Sequence, residues 1–246
     1  PGWGLAGSPV VYGDLLLLNA GDARLALEKA TGKVAWKSAA KEPGYSTPLV
    51  VRLGDAERML LGSGKSYVAV DPKTGAEAWR VKWVTQYGCN AADPVVDGGR
   101  VFVSTGYGKG AALLKPGAGE PEVLWQSKVM RTQMNPCVLV GGFLFGADGD
   151  AGQKGALKCV ELATGAEKWA KEGFGPGAVT VADGRLIALS EKGELMVAPA
   201  SPEGFQPTAR AQVLGGKCWT VPVLANGRIY ARSAAGDVVC LDVKKP

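Results

Sequence analysis

Apolar residues along the chain gather into short runs bounded by Gly, Asp and Asn, a pattern that reads as antiparallel strands joined by tight turns. One run recurs behind a Pro: Ser8-Pro-Val-Val, Thr47-Pro-Leu-Val, Asp93-Pro-Val-Val, Asn135-Pro-Cys-Val and Val221-Pro-Val-Leu, with Gly177-Ala-Val-Thr-Val in its place in one unit. A turn and a second run follow, as in Gly99-Arg100 before Val101-Phe-Val, Gly184-Arg185 before Leu186-Ile-Ala and Gly227-Arg228 before Ile229-Tyr-Ala.

A third and a fourth element share one signature. The segments 25–36, 68–79 and 158–169 align without gaps, each with Thr-Gly followed by a Trp four residues after the Gly. A looser copy runs from Leu113 to Trp125, so Trp recurs at 36, 79, 125 and 169. Four antiparallel strands repeating every forty-odd residues describe a propeller blade. The expected fold is therefore all-β: a β-propeller of four-stranded antiparallel blades, with six repeat units in a single domain over 1–246. The units fall at 8–37, 46–80, 92–126, 134–170, 176–214 and 220–246. Thr-Gly is expected in the turn between strands three and four, where Gly accepts positive φ. The four Trp side chains are expected to be equivalent and substantially buried between blades. The last unit stops after its third strand, which points to an amino-terminally shortened member of a larger, eight-bladed ring.

Composition agrees with this reading. The 246 residues include 36 Gly and 15 Pro, and 46% are apolar, enough for a sizeable core of short strands. The net charge of +5 is scattered, with no basic stripe of the kind that tracks nucleic acid, so no nucleic-acid partner is expected. There is no His, which removes imidazole bases and ligands. Five Cys stand apart at 89, 137, 159, 218 and 240 with no C-x-x-C, and at least one is unpaired within the chain. No run approaches the ~20 apolar residues that span a bilayer, and the start carries no charged-then-apolar export leader.

The D-x-x-T-G-x-x-x-W signature, with Gly2-Trp3-Gly4, Met130-Arg131 and Lys217-Cys218-Trp219-Thr220, resembles the pyrroloquinoline-quinone-like (PQQ-like) repeat family over nearly the whole chain. That family includes quinoprotein alcohol dehydrogenases, the lipoprotein of the outer-membrane assembly machinery and many uncharacterised secreted bacterial propellers. The resemblance is greatest to the last group and implies a periplasmic or secreted location. Its enzymes hold the quinone with calcium, an acidic base, a Trp platform and often a vicinal disulfide. Here there is no Cys-Cys pair, and Asp93 is the one carboxylate near the start of an inner strand.

Several motifs read as turns once weighed against the repeat. Gly62-Ser-Gly-Lys-Ser66 lacks the first P-loop Gly, since Met59 stands there, and a strand follows it. Gly106-Tyr-Gly-Lys-Gly110 opens no helix, as a dinucleotide loop must. Asp148-Gly-Asp150 has calcium-loop spacing, but Cys159 occupies the place of the bidentate Glu, so a solvated hairpin turn is expected and no metal site. Cys159 and Cys240 take the place of Ala26 and Ala69 in their units and read as small core residues.

The loops that lead into the first strands carry the candidate binding residues: Trp3, Tyr45, Tyr87, Asn90, Asp93, Arg131, Gln133, Asn135, Lys217 and Trp219. Aromatic walls with a few polar groups at a concave mouth suit a ligand site. The expectation is binding or scaffolding at the mouth without catalysis, with no catalytic residues and no cofactor. The occupant would be a small polar or acidic ligand or a protein partner. The alternative is a PQQ- and calcium-dependent alcohol dehydrogenase-like oxidoreductase. Arg131, a fixed cation with a planar donor fork, is expected to hold the ligand and to be dispensable for stability.

Overall fold

A computed structural model describes residues 2–20, 23–42 and 44–244, which fold without a helix into six antiparallel sheets. They form two compact units, 1–126 and 127–246, with three sheets in each. In the first unit the sheets span 10–37, 49–82 and 95–127; in the second they span 138–172, 178–212 and 223–242. Within every sheet the strands pair in sequence order, so each is a simple meander. Turns between strands one and two, and three and four, therefore lie at one end of a sheet. The hairpin between strands two and three lies at the other end, with the loop into the next first strand.

Why the turns form is visible in their residues. Asp183-Gly184 and Asn226-Gly227 both take positive φ at both positions, the type I′ geometry that matches strand twist. At the other turn of the same end, Asp71 Oδ1 accepts from the amides of Lys73 (2.8 Å) and Thr74 (2.9 Å), and Gly75 follows at φ 73°. The backbone closes identically at the three full signatures: Gly32, Gly75 and Gly165 donate their amides to Glu28, Asp71 and Glu161.

The core lies between successive sheets of a unit. In the second sheet Met59, Leu61, Val68 and Val70 pack with Leu17 and Ala26 of the first. The intervening Leu60, Tyr67 and Ala69 pack with Val101, Val103, Ala112 and Leu114 of the third. Both faces of these middle strands are buried, which is why the sequence shows continuous apolar runs rather than alternation. The second unit repeats the arrangement, with Phe145, Leu157 and Cys159 against Leu186 and Ala188, and Ile187 and Leu189 against Ile229 and Ala231.

The signature Trp residues are equivalent. Trp36, Trp79 and Trp169 stand opposite Ala26, Ala69 and Cys159, and a register shift follows immediately after each of those three small residues. Each Trp packs toward the next sheet. The Trp36 indole N–H donates to Pro72 O (3.1 Å) and Trp169 to Ser201 O (2.8 Å), both in the following sheet's turn between strands three and four. A Cβ on Gly75 would stand 2.5 Å from the Trp36 ring, so the turn needs Gly for space as well as for φ. Burial is less uniform than expected. Trp79 is 6% exposed, whereas Trp36, Trp125 and Trp169 are half-buried, because a fourth strand sits at the outer rim with one ring edge toward solvent.

The last sheet has three strands, as its sequence indicates: Val223–Ala225, Arg228–Arg232 and Val238–Asp242. One face packs on its neighbour, and the other leaves Val223, Tyr230 and Val238 exposed. Cys240 lies on that open face. It is exposed, which corrects the expectation of a core residue; Cys159, between two sheets, is fully buried.

Candidate functional site

The loops into the first strands form one group of side chains in each unit. In the first unit, the ring of Trp3 lies 5.9 Å from those of Tyr45 and Tyr87, and the Trp3 amide donates to Tyr45 Oη (3.2 Å). Tyr87 meets Tyr107 edge-on at 4.9 Å. Tyr107 belongs to the hairpin between strands two and three of the third sheet and holds φ 57°, an uncommon conformation for a side chain of this size. Tyr45 is buried, while Trp3 and Tyr87 are 63% and 55% exposed, so the cluster presents two aromatic rings outward. Lys109 from the same hairpin places its ammonium 4.7 Å from the Trp83 ring.

Asn90 and Asp93 serve the fold. Asn90 is fully buried; its Nδ2 donates to Ser63 O (2.7 Å) and Trp83 O (2.8 Å), and its Oδ1 accepts from Thr105 (3.0 Å). Asp93 Oδ1 accepts from the Thr47 amide (2.7 Å), and Thr47 Oγ1 in turn accepts from the Ser8 amide (3.0 Å). These residues precede Pro in their units and link one first strand to the next. Burial lifts the Asp93 carboxyl to about 6, with the Thr47 amide pulling the other way.

The first unit also holds a polar cluster that sequence reasoning missed. Glu42 Oε2 accepts from Ser63 (2.8 Å), Ser66 (2.7 Å) and Arg80. Burial raises this carboxyl, but those hydrogen bonds outweigh it and hold it below its ordinary value. Arg24, 2% exposed, approaches Glu77 at 3.5 Å. The signal was present in Gly62-Ser-Gly-Lys-Ser66, which is the expected hairpin turn, with both hydroxyls turned to Glu42.

In the second unit Arg131 is engaged. Its amide and Nε donate to Asp148 Oδ1 (2.7 and 3.0 Å), and its Nη2 donates to Oδ2 (2.8 Å). Lys158 approaches Asp148 at 3.3 Å. Asp148 is 2% exposed and Asp150 is also buried, so the expected solvated turn is instead a buried carboxylate that demands cations. The hydrogen bond with Asp148 raises the Arg131 guanidinium further. The same contacts tie Arg131 to a buried carboxylate, so its removal is expected to cost stability rather than leave it unchanged. Gln133 Oε1 accepts from the Ala151 amide, and Asn135 Nδ2 donates to Gly177 O (3.1 Å) and Trp219 O (3.0 Å). Lys217 lies over the Trp219 ring (5.0 Å), and the Trp219 indole donates to Glu191 Oε1 (3.0 Å). A groove of about 390 Å³ runs here, lined by Ala151, Gly152, Glu191, Lys192, Gly216 and Lys217.

The loops present exposed aromatic rings beside polar groups that are engaged within the fold. Among the described residues no three Asp, Glu or Cys side chains gather to hold a metal ion. The Asp93 carboxylate has one oxygen committed to the Thr47 amide, and all five thiols are free. This donor set does not fit calcium with a bound quinone, which needs several oxygen ligands converging on one ion.

Among solved structures, BamB from Moraxella catarrhalis superposes with a TM-score of 0.74 at 18% identity, over 94% of this chain and 70% of that one. The computationally designed Ika8 protein gives 0.70 at 10% identity, over 96% and 70%. Quinohemoprotein alcohol dehydrogenase from Comamonas testosteroni gives 0.65 at 12% identity, with 93% of this chain against 51% of that one. These likenesses establish the β-propeller-like fold alone. No curated protein matches the chain in sequence. The family model described as outer membrane protein assembly factor BamB matches residues 4–171, and the chain therefore belongs to this PQQ-like β-propeller repeat family.

Proposed function

We propose that residues 1–246 act as one binding or scaffolding propeller domain that recognises a protein partner, without catalysis, through the loops leading into its first strands. The observation that carries this reading is the aromatic cluster of the first unit, where Trp3 and Tyr87 stand exposed on a base of Tyr45 and Tyr107. Exposed Trp and Tyr supply large contact areas at small entropic cost and dominate protein interfaces. Membership in a family described by an assembly factor supports the same reading and favours a periplasmic or secreted location. No helix among the described residues is long and apolar enough to cross a membrane. A small acidic ligand in the groove beside Lys192 and Lys217 is compatible with this role.

Cross-linking capture from a periplasmic extract, comparing the native protein with Trp3→Ala/Tyr87→Ala, tests the proposal. The expected result is one dominant partner that the variant loses while its melting temperature stays put. Equal capture by both proteins would defeat it. Incubation with PQQ and calcium, followed by assay of alcohol turnover, tests the oxidoreductase alternative; the donor set predicts neither a bound chromophore nor turnover.

A further inference from the structure

Four rings run in series through the loops of the first unit: Tyr45, Trp3, Tyr87 and Tyr107, with centroids 5.9, 5.9 and 4.9 Å apart. Their planes do not align. Successive rings are inclined by 50°, 70° and 64°, so the surface is ridged. A platform of the kind that stacks nucleobases offers open ring faces. Inclined rings leave wedge-shaped slots instead. Two slots flank Tyr87, one against Trp3 and one against Tyr107. Trp3 and Tyr87 are exposed and Tyr107 is half-buried, so the walls of both slots reach the surface.

Tyr107 stands there against its backbone preference. A φ of 57° is costly for a bulky side chain, yet glycines at 106 and 108 leave this position to a tyrosine. Glycine at 107 would relieve the strain and remove one wall of the second slot. The charge around the rings has one sign. Lys109 lies over Trp83 at 4.7 Å, and Trp83 donates its backbone amide to Lys65 O (2.8 Å). The segments that meet here, 2–7, 63–65, 84–89 and 106–110, contain those two lysines and no Asp or Glu.

We infer that this cluster docks an acidic, proline-rich segment of its partner in the polyproline II conformation, an inference that rests on the reading of the cluster as a protein interface. Pyrrolidine rings fit between aromatic ridges, which is how Pro-rich segments are held in aromatic-lined grooves. Ring-to-ring steps of 5.9 and 4.9 Å across Tyr87 compare with two residues of such a segment at ~3.1 Å each, so prolines in the order Pro-x-Pro fill both slots. That backbone makes no internal hydrogen bonds, and its carbonyls are free to accept from the Trp3 indole N–H. Its carboxylates face Lys65 and Lys109.

The probe is an acetylated and amidated peptide of repeated Glu-Pro-Pro triplets, titrated by calorimetry into the full chain. Saturable binding is expected. Trp3→Ala and Tyr107→Gly should each weaken it at least about tenfold, the cost of truncating an interface aromatic, with circular dichroism showing both variants folded. A Glu-Gly-Ser peptide of equal charge should not bind, and a Lys-Pro-Pro peptide should bind more weakly at low salt. Absence of saturable binding at millimolar peptide overturns the inference, as does equal affinity for the Glu-Gly-Ser peptide or unchanged affinity in both variants. If the captured partner is lost from Trp3→Ala/Tyr87→Ala while the Pro-rich peptide fails to bind, the protein interface stands and its proline-rich occupant falls.

Discussion

Asp93 is where pH acts on this fold. Burial lifts its carboxyl from 3.8 to about 6, and the single amide of Thr47 offsets only part of that. Between those two values the folded protein keeps a proton that the unfolded chain has released. The group's contribution therefore favours the fold fully below pH 3.8 and is lost as pH rises through about 6. About two units at roughly 1.4 kcal/mol each set a ceiling of about 3 kcal/mol, and solvent screening at a half-buried site leaves about 1–2 kcal/mol. Asp93→Asn removes the titration while keeping a carbonyl oxygen for the Thr47 amide. The shape is tolerated elsewhere in the chain, because Asn135 precedes Pro136 in the corresponding place. Urea denaturation of both proteins at pH 4 and pH 7.5 isolates the effect, since all other titrations are shared. The variant should be more stable by about 1–2 kcal/mol at the higher pH and within about 0.5 kcal/mol of the native protein at the lower one. A difference of the same size at both pH values, or a larger one at pH 4, would refute the reasoning.

Three further outcomes follow from the packing. Arg131→Ala strands the buried Asp148 with Lys158 alone, and should destabilise by about 2 kcal/mol, lowering the melting temperature by roughly 4–8 °C; an unchanged melting curve would restore Arg131 as a free ligand-binding cation. Gly75→Ala meets both a positive φ and the Trp36 ring, whereas Gly32→Ala, at φ 70°, meets open space. Chemical denaturation should therefore find Gly75→Ala worse by about 1 kcal/mol or more, and equal losses would mean that the ring contact carries no weight. Maleimide should label Cys240 alone in the native protein, with Cys89, Cys137, Cys159 and Cys218 reacting only after unfolding; rapid labelling of any of those four would contradict their burial.

The sheets were legible because each strand is short, bounded by turn residues and repeated. The site was legible only in part. The aromatic group could be read from loop position, since Trp3, Tyr45 and Tyr87 lie in successive loops that the meander brings to one end. Arg131 was legible as a loop cation but its partner was not, because a single sequence does not show that Asp148, seventeen residues on and expected in a solvated turn, folds under it. Tyr107, Glu191 and Lys192 were missed for a related reason. The 106–110 hairpin taken alone resembles a dinucleotide loop and the 190–193 hairpin carries no motif, although antiparallel topology places both beside the loops into the first strands.

Both ends of the sheets accept connections of different length. At the end with the Asp/Glu-x-x-Thr-Gly turn, the connection between strands three and four grows from five residues at 162–166 to nine at 200–208, and Ser201 of the longer one still accepts the Trp169 indole N–H. At the other end the hairpin between strands two and three already varies within one chain, from three residues at 63–65 to seven at 149–155, with the flanking strand pairs kept in register. Grafted loops and insertions should be accepted there without resetting any strand, which makes the protein a natural frame for displaying foreign segments.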